Sequence, residues 1–427
     1  MTIQGRPAMR VSKNALALLF AQVWAKLLSL VLVALVARYE SAAGLGRYVL
    51  ALTAVGFAGV ISDLGLNIYL TREVARASDS RRQRELLGTA LPLKIGLATV
   101  SWLILIGIAS VAPLPEATRA LLPLAGLLLL PEAALGAMRA FVNGRQRMEV
   151  SSAIDMVVRL IALAAAFPAL VAGWGVAGVL ASSVGAGLIG AACYGALLWR
   201  WQTPPLWRGS VAGWRACLVE SYPFALTSLA AMVYARVDLV LLGLWQGETA
   251  TGWYGAAYRL WEAIGLLPSS LLDAMFPEMS RLAGNREKLP RLQTLFHTAG
   301  RAMSTVGLVL VAAGIPAAGV LIGLVYGSTG DYAPAVLPFR LLVCGIPAMF
   351  LYLLSGHTLY ALGKQRQVTA TMLAVGLVNV SLNLFIIPRW SFVGAAAVAL
   401  GSEWLLAASL YPLARRALAR SKTEHPR

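Results

Sequence analysis

The sequence predicts an all-α polytopic membrane protein with about twelve transmembrane helices, arranged as two six-helix lobes around a central cavity. Three observations predict this fold class. Hydrophobic residues make up 59% of the 427-residue chain and charged residues only 13%, about half the charged share of an ordinary soluble domain. Apolar stretches of roughly 18 residues or more recur along the chain, and each can span a bilayer. Short motifs also recur about half a chain apart, which indicates an internal repeat.

The apolar stretches define twelve predicted spans. They lie near residues 14–37, 47–70, 89–111, 120–139, 150–171, 175–198, 221–244, 252–275, 299–326, 335–362, 368–387 and 391–413. Because their number is even, both termini are expected on the same side of the membrane.

The basic residues indicate which side this is. The formal net charge of +17 would suggest a nucleic-acid partner in a soluble protein. Here Lys and Arg concentrate in alternate loops, beginning with the N-terminal segment. The other loops hold only Arg38, Arg47, Arg119 and Arg389. Because cytoplasmic loops collect Lys and Arg, the sequence predicts a multi-pass protein of the cell inner membrane, N-in and C-in, with no nucleic-acid partner.

The two longest inner loops, near 199–220 and 276–298, carry basic and partly amphipathic sequence. Such segments often lie in the plane of the membrane surface. We therefore expect an interfacial helix in each loop.

Three pairs of motifs recur in the same order in the two halves of the chain. They are Glu40-Ser-Ala-Ala-Gly44 with Glu248-Thr-Ala-Thr-Gly252, Gly144-Arg-Gln-Arg147 with Gly363-Lys-Gln-Arg366, and Gly175-Val-Ala-Gly-Val with Gly394-Ala-Ala-Ala-Val. Six helices in each half give both halves the same topology, related by an axis along the membrane normal. The predicted lobes are 1–205 and 206–427.

Equivalent helices of the two halves each carry two prolines. The fourth span contains Pro123 and Pro131, and the tenth contains Pro338 and Pro347. Two interpretations are open. The prolines can be ordinary kinks, which are common in membrane helices, or they can mark paired broken helices that line a central site.

Charged residues within the spans must face protein or water, because each costs roughly 2.5–3.5 kcal/mol at the centre of a lipid-exposed helix. The basic ones are Lys26, Lys94, Arg159, Arg236, Arg259, Arg301 and Arg340. The acidic ones are Asp63, Glu132, Asp155, Asp238, Glu262, Asp273 and Glu403. Lys94 and Arg301 lie near predicted helix starts, from which a long side chain can reach the interface.

Two pairs of these charges have helical spacing. Asp155 and Arg159 are four residues apart, and Arg259 and Glu262 are three apart, so each pair shares a helix face. Either pair can be a structural ion pair or part of a functional site.

Three basic residues, Lys26, Arg236 and Arg340, have no opposite charge three or four residues away. Lys26 and Arg236 lie in the helices that open the two halves, and together they predict a cationic patch between the lobes. Arginine and lysine in a low dielectric bind phosphate and carboxylate groups strongly. Such a patch could carry the anionic headgroup of an amphiphile across the membrane while the lipid tail stays in the bilayer.

Motifs for other chemistry are absent from the sequence. There is no GxxxxGK[ST] loop for ATP, no HExxH and no GxSxG, and Cys193, Cys217 and Cys344 lie too far apart for a zinc site. We therefore expect no metal, no cofactor and no enzymatic activity. Coupling to H⁺ or Na⁺ stays open. A membrane glycosyltransferase or ligase would need larger outer loops.

Several motifs in series resemble one known family. They are Gly44-Leu-Gly46-Arg-Tyr48, Asp63-Leu-Gly65-Leu with Arg72, Ala235-Arg236-Val-Asp238 with Leu241-Leu-Gly243, Gly252-Trp-Tyr254-Gly-Ala-Ala-Tyr258-Arg259, Phe276-Pro277-Glu-Met-Ser-Arg281, and Gly363-Lys-Gln-Arg366. The chain resembles the polysaccharide-biosynthesis, or oligosaccharidyl-lipid, flippases (O-antigen type) of the multidrug/oligosaccharidyl-lipid/polysaccharide exporter superfamily. The similarity covers nearly the whole chain.

The resemblance implies alternating access and an undecaprenyl-diphosphate-linked oligosaccharide as substrate. It implies that cavity cations, with Arg236, Arg259 and Lys26 as candidates, meet the diphosphate. Arg159, Arg340 and Asp238 are the further candidates for substrate binding. Membrane lipid is an expected partner, a polysaccharide polymerase and glycosyltransferases are further candidates, and a monomer is expected because two lobes already enclose a site.

Two alternatives within transport stay open. A cation-coupled exporter of the multidrug and toxin extrusion type would need an acidic cavity, and Asp63, Glu132 and Asp273 are the candidate coupling acids. A lipid II flippase of the same superfamily has fourteen spans, a count that differs from the twelve predicted here. The sign of the cavity potential distinguishes an anionic substrate from a cationic one.

Overall fold

The computed structural model describes residues 24–207, 210–327 and 330–420, and these residues contain helices and no strand. The helices begin with α1 (24–39), α2 (Ala42–Asp63), α3 (Leu66–Arg76), α4 (Ser80–Val111), α5 (Glu116–Gly126), α6 (Leu129–Gly144), α7 (Met148–Val171), α8 (Gly175–Arg200) and α9 (Val211–Trp245). They continue with α10 (Gly247–Ile264), α11 (Leu266–Ala283), α12 (Leu289–Tyr326), α13 (Val336–Val343), α14 (Ile346–Ala361) and α15 (Gln365–Arg420).

The helices account for the predicted spans, the first of them only over its described part. Among the described residues, eight helices are long and apolar enough to cross a membrane. The number is nine if the bent pair of Ala333–Val343, which includes α13, and Ile346–Ala361, which is α14, forms one span. Helix α15 has 56 residues and a non-helical backbone at Ser391. A helix of that length would extend about 84 Å, far more than one crossing needs, so it forms two consecutive spans. Helices α10 and α11 cover the predicted span 252–275.

Contacts divide the chain into two compact units, Met1–Thr249 and Ala250–Arg427. Helix α9 packs on α2, α3 and α4 and belongs to the first unit. The predicted lobes 1–205 and 206–427 follow the sequence repeat instead, and their boundary stays a prediction.

The core of the first unit is built around α6. Eleven of its residues are buried, and Phe141 lies fully buried in a cluster with Leu70, Leu87 and Tyr194 from α3, α4 and α8. Glycine permits one of these close approaches, because a Cβ at Gly144 would lie 2.7 Å from the Val74 Cβ atom. Small residues at helix crossings serve membrane proteins in this way.

The second unit is held by packing among α12, α13, α14 and α15. Tyr326, near the end of α12, is buried and donates a hydrogen bond of 2.9 Å from its hydroxyl to the Ala256 carbonyl of α10. At the other end of α12, the Phe296 ring stacks on Tyr411 of α15 with ring centroids 5.4 Å apart. Both ends of this long helix are thereby fixed within the unit.

Both proline-bearing spans are broken helices. The fourth is interrupted between α5 and α6, and the tenth between α13 and α14, where the two segments meet at 44°. Pro131 and Pro347 lie in the first turn of α6 and α14, where proline is tolerated because its missing N–H has no helical partner. The breaks occur at equivalent places in the two halves, as expected for an internal repeat.

The turns before α7 and α15 also correspond, although the sequence motifs there are out of register. The left-handed residues are Gln146, with φ 58°, and Gly363, with φ 71°. Each precedes the start of its helix, at Met148 or Gln365, by two residues. The two Gly-x-Gln-Arg motifs are therefore displaced by two residues relative to the helices that follow them.

The predicted interfacial helices are wrong for the described residues. Residues 201–207 form no helix, and the later part of this loop belongs to α9, which begins at Val211 and has 35 residues. The segment near 276–298 belongs to the end of α11, a single 3-10 turn and the start of the 38-residue α12. The amphipathic sequence extends transmembrane helices beyond the length that one crossing requires, and this extension replaces a separate surface helix.

Candidate functional site

A buried ion pair joins three helices of the first unit. Lys94 of α4 is only 2% exposed, and its Nζ donates a hydrogen bond of 2.7 Å to Asp63 Oδ1. The same Nζ donates to Asn67 Oδ1 in the first turn of α3. The turn between α2 and α3, with Leu64 at φ 43° and Gly65 at φ 77°, brings both acceptors to Lys94. The expectation that Lys94 reaches the membrane interface is therefore wrong.

Helix α6 packs against this ion pair through a glycine. A Cβ atom at Gly136 would lie 2.9 Å from Lys94 Nζ and 3.0 Å from the Asn67 side chain. No side chain fits there without movement of the charged group. Gly136 therefore makes room for the buried lysine.

A second ionic cluster lies at the junction of α6, α7 and α8. The Arg139 guanidinium forms an ion pair with Asp155, with 2.8 Å between Nε and Oδ2, and a longer one of 3.4 Å with Glu132. The hydroxyl of the buried Tyr194 donates to Asp155 Oδ1 at 3.3 Å. The predicted pairing of Asp155 with Arg159 is wrong, because Asp155 turns towards α6 and α8 while Arg159 is exposed on α7.

Sequence reasoning missed Arg139 because it assigned this residue to an inner loop. In the structure α6 continues to Gly144, so Arg139 lies within the helix. Glu132 and Arg139 are seven residues apart, a spacing that places them on one helix face. This spacing was the available signal.

Two further sets of polar contacts lie near the ends of α9. In the first half of this helix, Glu220 Oε2 accepts a hydrogen bond of 2.8 Å from Arg72 Nη2. Just beyond its end, Glu248 accepts hydrogen bonds from the Thr118 amide at 3.1 Å and hydroxyl at 2.7 Å, and it lies 3.2 Å from Arg47 Nε. Glu248, which opens the repeated motif, is therefore a structural residue of the first unit.

The candidate coupling acids all have a basic neighbour. Asp63 is paired with Lys94 and Glu132 with Arg139, as described above. Asp273 of α11, with a side chain 52% exposed, lies 3.4 Å from His357 Nε2 of α14. Asp63 therefore has a cation to itself, Glu132 shares Arg139 with Asp155, and Asp273 has an imidazole as its neighbour.

Among the candidate substrate-binding residues, Arg259 and Glu262 form the ion pair that their spacing predicted. The distance between Arg259 Nη1 and Glu262 Oε2 is 3.1 Å, and both side chains are mostly buried. Arg236 is half-buried on α9, and the buried Asp238 accepts a hydrogen bond of 2.8 Å from the Leu239 amide.

The remaining candidates are exposed. Lys26 lies on α1, Arg159 on α7 and Arg340 on α13. Arg340 Nε donates to the Ile315 carbonyl at 3.1 Å. Within the described ranges, none of these three side chains forms an ion pair with a carboxylate. A role in substrate binding stays a prediction for all six candidates.

Comparisons with known proteins agree with this fold. A family described as "Polysaccharide biosynthesis protein" matches residues 11–283, and the MatE family matches residues 223–385. A comparison with curated proteins finds no match.

Solved structures share the architecture at low sequence identity. An inward-facing multidrug resistance MATE family transporter of the MOP superfamily is 15% identical with a TM-score of 0.72, over 96% of this chain and 100% of that chain. The inward closed lipid II flippase MurJ is 12% identical with a TM-score of 0.75, over 94% of this chain and 89% of that chain. A MOP superfamily transporter from Pyrococcus furiosus, described as having a binding pocket of reverse polarity, is 13% identical with a TM-score of 0.63, over 98% of each chain.

These similarities confirm the predicted fold class, an all-α polytopic membrane protein with the two-lobe fold of the MATE and MurJ transporters. The first family match covers more than half of the chain. The chain belongs to the polysaccharide biosynthesis protein family.

Proposed function

We propose that this protein is a flippase that moves an undecaprenyl-diphosphate-linked oligosaccharide across the inner membrane by alternating access. The observation that carries the proposal is the polysaccharide biosynthesis family match over residues 11–283. The shared fold supports it, because the structural neighbours are transporters and one of them is a lipid II flippase. We further propose N-in, C-in topology and a monomer that acts beside a polymerase and glycosyltransferases.

The distribution of charge supports an anionic substrate. A cationic drug needs a carboxylate whose charge is not already compensated. Asp63, Glu132 and Asp273 each have a basic group within 3.4 Å. Exposed Lys26, Arg159 and Arg340, in contrast, have no carboxylate partner in the described part of the chain. Three of the candidate cations therefore lack a carboxylate counterion in the described residues, which favours an anionic substrate.

Basic residues have a clear role in the transport of a lipid diphosphate. Transfer of a doubly ionised headgroup through bare lipid would cost tens of kcal/mol by Born estimates, whereas arginine offers a planar fork of N–H donors that matches phosphate oxygens. We assign Arg236, Arg259 and Lys26 to the diphosphate, with Arg159, Arg340 and Asp238 as supporting residues. Glu262 then fixes the orientation of the Arg259 guanidinium.

The energy source follows from the sequence. No ATP-binding loop is present, so we propose that transport is driven by substrate mass action or by a proton or sodium gradient. Of the three candidate coupling acids, Glu132 has the most exposed side chain and Asp273 the next most exposed. The contact of Asp273 with His357 is also long.

Reconstituted proteoliposomes test the proposal. The substrate is a short-chain polyprenyl diphosphate carrying an oligosaccharide with a fluorophore, and a membrane-impermeant reductant quenches the outer leaflet. If the protein is a flippase for this substrate, the protected fluorescence falls with time in proteoliposomes and stays constant in protein-free liposomes. Protected fluorescence that stays constant in both would contradict the proposal.

Two other substrates in the same vesicles test the alternatives. The MatE match over 223–385 favours a drug exporter, which would accumulate ethidium when a proton or sodium gradient is imposed. The similarity to the lipid II flippase favours a lipid II substrate. In that case the fluorescence of labelled lipid II would be quenched faster than that of the oligosaccharide lipid. We expect the oligosaccharide lipid to be moved fastest and ethidium not at all.

A further inference from the structure

The second unit contains a cavity of about 670 Å³ that the proposed transport function does not use. It lies among α12, α14 and α15. Its lining residues are His297, Gly300, Arg301, Ser304, Thr305, Leu351, Tyr411 and Arg415. The lining contains two arginines and no acidic residue.

The sequence places these groups on facing helix surfaces. On α12 the lining residues recur at intervals of three, one, three and one, which is one face of a helix. On α15, Tyr411 and Arg415 are one turn apart. Gly300 lies in the middle of the α12 face, where a Cβ atom would contact Leu354 of α14 at 3.6 Å.

No carboxylate of residues 24–207, 210–327 or 330–420 compensates the positive charge of the cavity. Arg301 and Arg415 are both exposed, and in the residues that the structure describes neither guanidinium forms an ion pair. From its place near a predicted helix start, Arg301 was expected only to reach the membrane interface. The structure brings it together with Arg415 on one cavity.

Hydroxyl groups add further donors. Thr294, earlier in α12, donates its hydroxyl to the Pro290 carbonyl at 3.0 Å, as Ser and Thr within helices often do. The hydroxyls of Ser304 and Thr305 donate to no group in the described part of the protein. Together with His297 they complete a set of donors suited to phosphate oxygens.

Aromatic packing holds one of the arginines in place. The buried Phe296 ring stacks on Tyr411 at 5.4 Å with an interplanar angle of 25°. The Arg415 guanidinium carbon lies 6.0 Å from the centre of the Tyr411 ring, within the range of a cation–π contact. Arg415 is therefore oriented before any ligand binds.

The depth of the cavity favours a lipid over a soluble anion. The 38 residues of α12 extend about 57 Å, well beyond the roughly 30 Å hydrocarbon core. Gln293 Nε2 donates to the Leu418 carbonyl at 3.0 Å, which ties the ends of α12 and α15 together. Arg301 lies about two turns inside this tie and Arg415 about one turn. Because Arg301 lies at the start of the predicted span 299–326 and Arg415 just beyond the predicted span 391–413, we expect both guanidinium groups at headgroup level.

The floor of the cavity is apolar. Leu351 of α14 lies well inside the predicted span 335–362, so we expect it to be deeper in the membrane than the arginines. A polar mouth above an apolar floor matches an amphiphile whose phosphate stays at the mouth and whose apolar tail lies towards the floor. From this geometry we infer that the cavity binds the phosphate headgroup of an anionic membrane lipid. The inference does not depend on which substrate the protein transports.

Equilibrium binding to the purified full-length protein tests the inference. The probes are dioctanoyl phosphatidylglycerol, dioctanoyl phosphatidylcholine and inorganic phosphate, followed by native mass spectrometry and by thermal shift. Phosphatidylglycerol should bind more tightly than phosphatidylcholine. Arg301→Gln and Arg415→Gln should each weaken its binding about tenfold, because each removes charge-assisted hydrogen bonds.

The matched control is Arg416→Gln, which removes an exposed arginine next to Arg415 that does not line the cavity. Its Kd for phosphatidylglycerol should equal that of the wild type. An equal loss with Arg416→Gln would mean that only general surface charge attracts the lipid and would overturn the inference. Inorganic phosphate that binds as tightly as phosphatidylglycerol would mean a site for free phosphate and would also overturn it.

A second variant guards against misfolding. Thr305→Trp fills the cavity without a change in charge, so it should block phosphatidylglycerol binding while the melting temperature stays near that of the wild type. Undiminished binding to this variant would place the lipid elsewhere. Because none of these measurements involves transport, their failure is separable from failure of the proposed function.

Discussion

Two regions of the molecule use basic residues in opposite ways. In the first unit, Lys94 is almost fully buried and its charge is met by Asp63 at 2.7 Å. In the second unit, Arg301 and Arg415 are exposed beside a cavity whose lining has no carboxylate. A buried charge needs a partner because desolvation is costly. An exposed and unpartnered arginine remains available for a ligand.

This difference distinguishes charged residues that stabilise the fold from charged residues that are available to bind a ligand. Charges within the first unit, including Arg139 of α6 with Asp155 of α7, are compensated within the protein. Their removal should therefore affect stability. The uncompensated cations should affect the recognition of anions instead. The following predictions test this distinction.

The largest effect is expected for Asp63→Asn. This change leaves the Lys94 ammonium buried without its counterion, and loss of one partner from a buried pair typically costs about 3–5 kcal/mol of unfolding free energy. Thermal unfolding in detergent, followed by tryptophan fluorescence, should show a large fall in Tm. The double variant Asp63→Asn/Lys94→Met should recover most of the loss. An unchanged Tm for the single variant would show that Lys94 does not need the carboxylate.

A smaller loss is expected for Gly136→Ala. The added methyl group would lie 2.9 Å from Lys94 Nζ, and overpacking of this kind costs about 1–3 kcal/mol. Gly107→Ala in α4 is the control, because a Cβ there meets nothing within 4 Å, and it should leave Tm unchanged or slightly raised. Equal Tm values for the two variants would contradict the account of the buried lysine.

In the transport assay, Arg236→Ala and Arg259→Ala should each lower the flipping rate about tenfold or more, the loss expected when a charge-assisted contact is removed. Folding should stay intact. Since Arg259 is paired with Glu262, Arg259→Gln/Glu262→Gln provides a version without an orphaned carboxylate. Arg236→Lys should be more impaired than its retained charge suggests if bidentate contact matters. Normal transport by both alanine variants would exclude these residues from the mechanism.

The smallest effect is expected for the surface pair of Glu278 and Arg281 at the end of α11. Two hydrogen bonds from Arg281, of 2.8 and 2.7 Å, hold the pKa of the Glu278 carboxyl below its ordinary value of 4.5. A depressed folded-state pKa contributes stability at pH values above 4.5, and this contribution is lost as the pH falls through the lower folded-state pKa.

Melting curves of Arg281→Gln and the wild type across this acid range test that sign. Their Tm values should differ slightly at neutral pH and converge in acid, because an exposed pair contributes little. A large difference at neutral pH would show that the pair is structural.

The spans and the local ion pair were predictable from the sequence because both depend on nearby residues. Hydropathy placed the helices, and spacing alone identified Arg259 with Glu262. The partner of Asp155 could not be found in this way, because Arg139 lies on another helix. Only the tertiary packing of α6, α7 and α8 brings the two together.

Helix length explains the other errors. Lys94 was placed near a helix start, whereas α4 begins at Ser80, about 21 Å earlier along the helix. Hydropathy does not detect such polar extensions, since their residues are hydrophilic and yet helical. The cavity beside Arg301 and Arg415 could not be predicted either, because these two arginines are more than a hundred positions apart in the sequence.

The central claim is that the cations assigned to the diphosphate select an anionic amphiphile. Its most direct test is calorimetric binding of geranylgeranyl diphosphate, the monophosphate, the parent alcohol and ethidium to purified protein carrying Arg301→Gln/Arg415→Gln, so that the second-unit cavity does not contribute. We expect affinity to fall from diphosphate to monophosphate to alcohol, to weaken with salt and to fall further with Arg236→Ala. Tighter binding of ethidium, with no preference for diphosphate over alcohol, would contradict the claim.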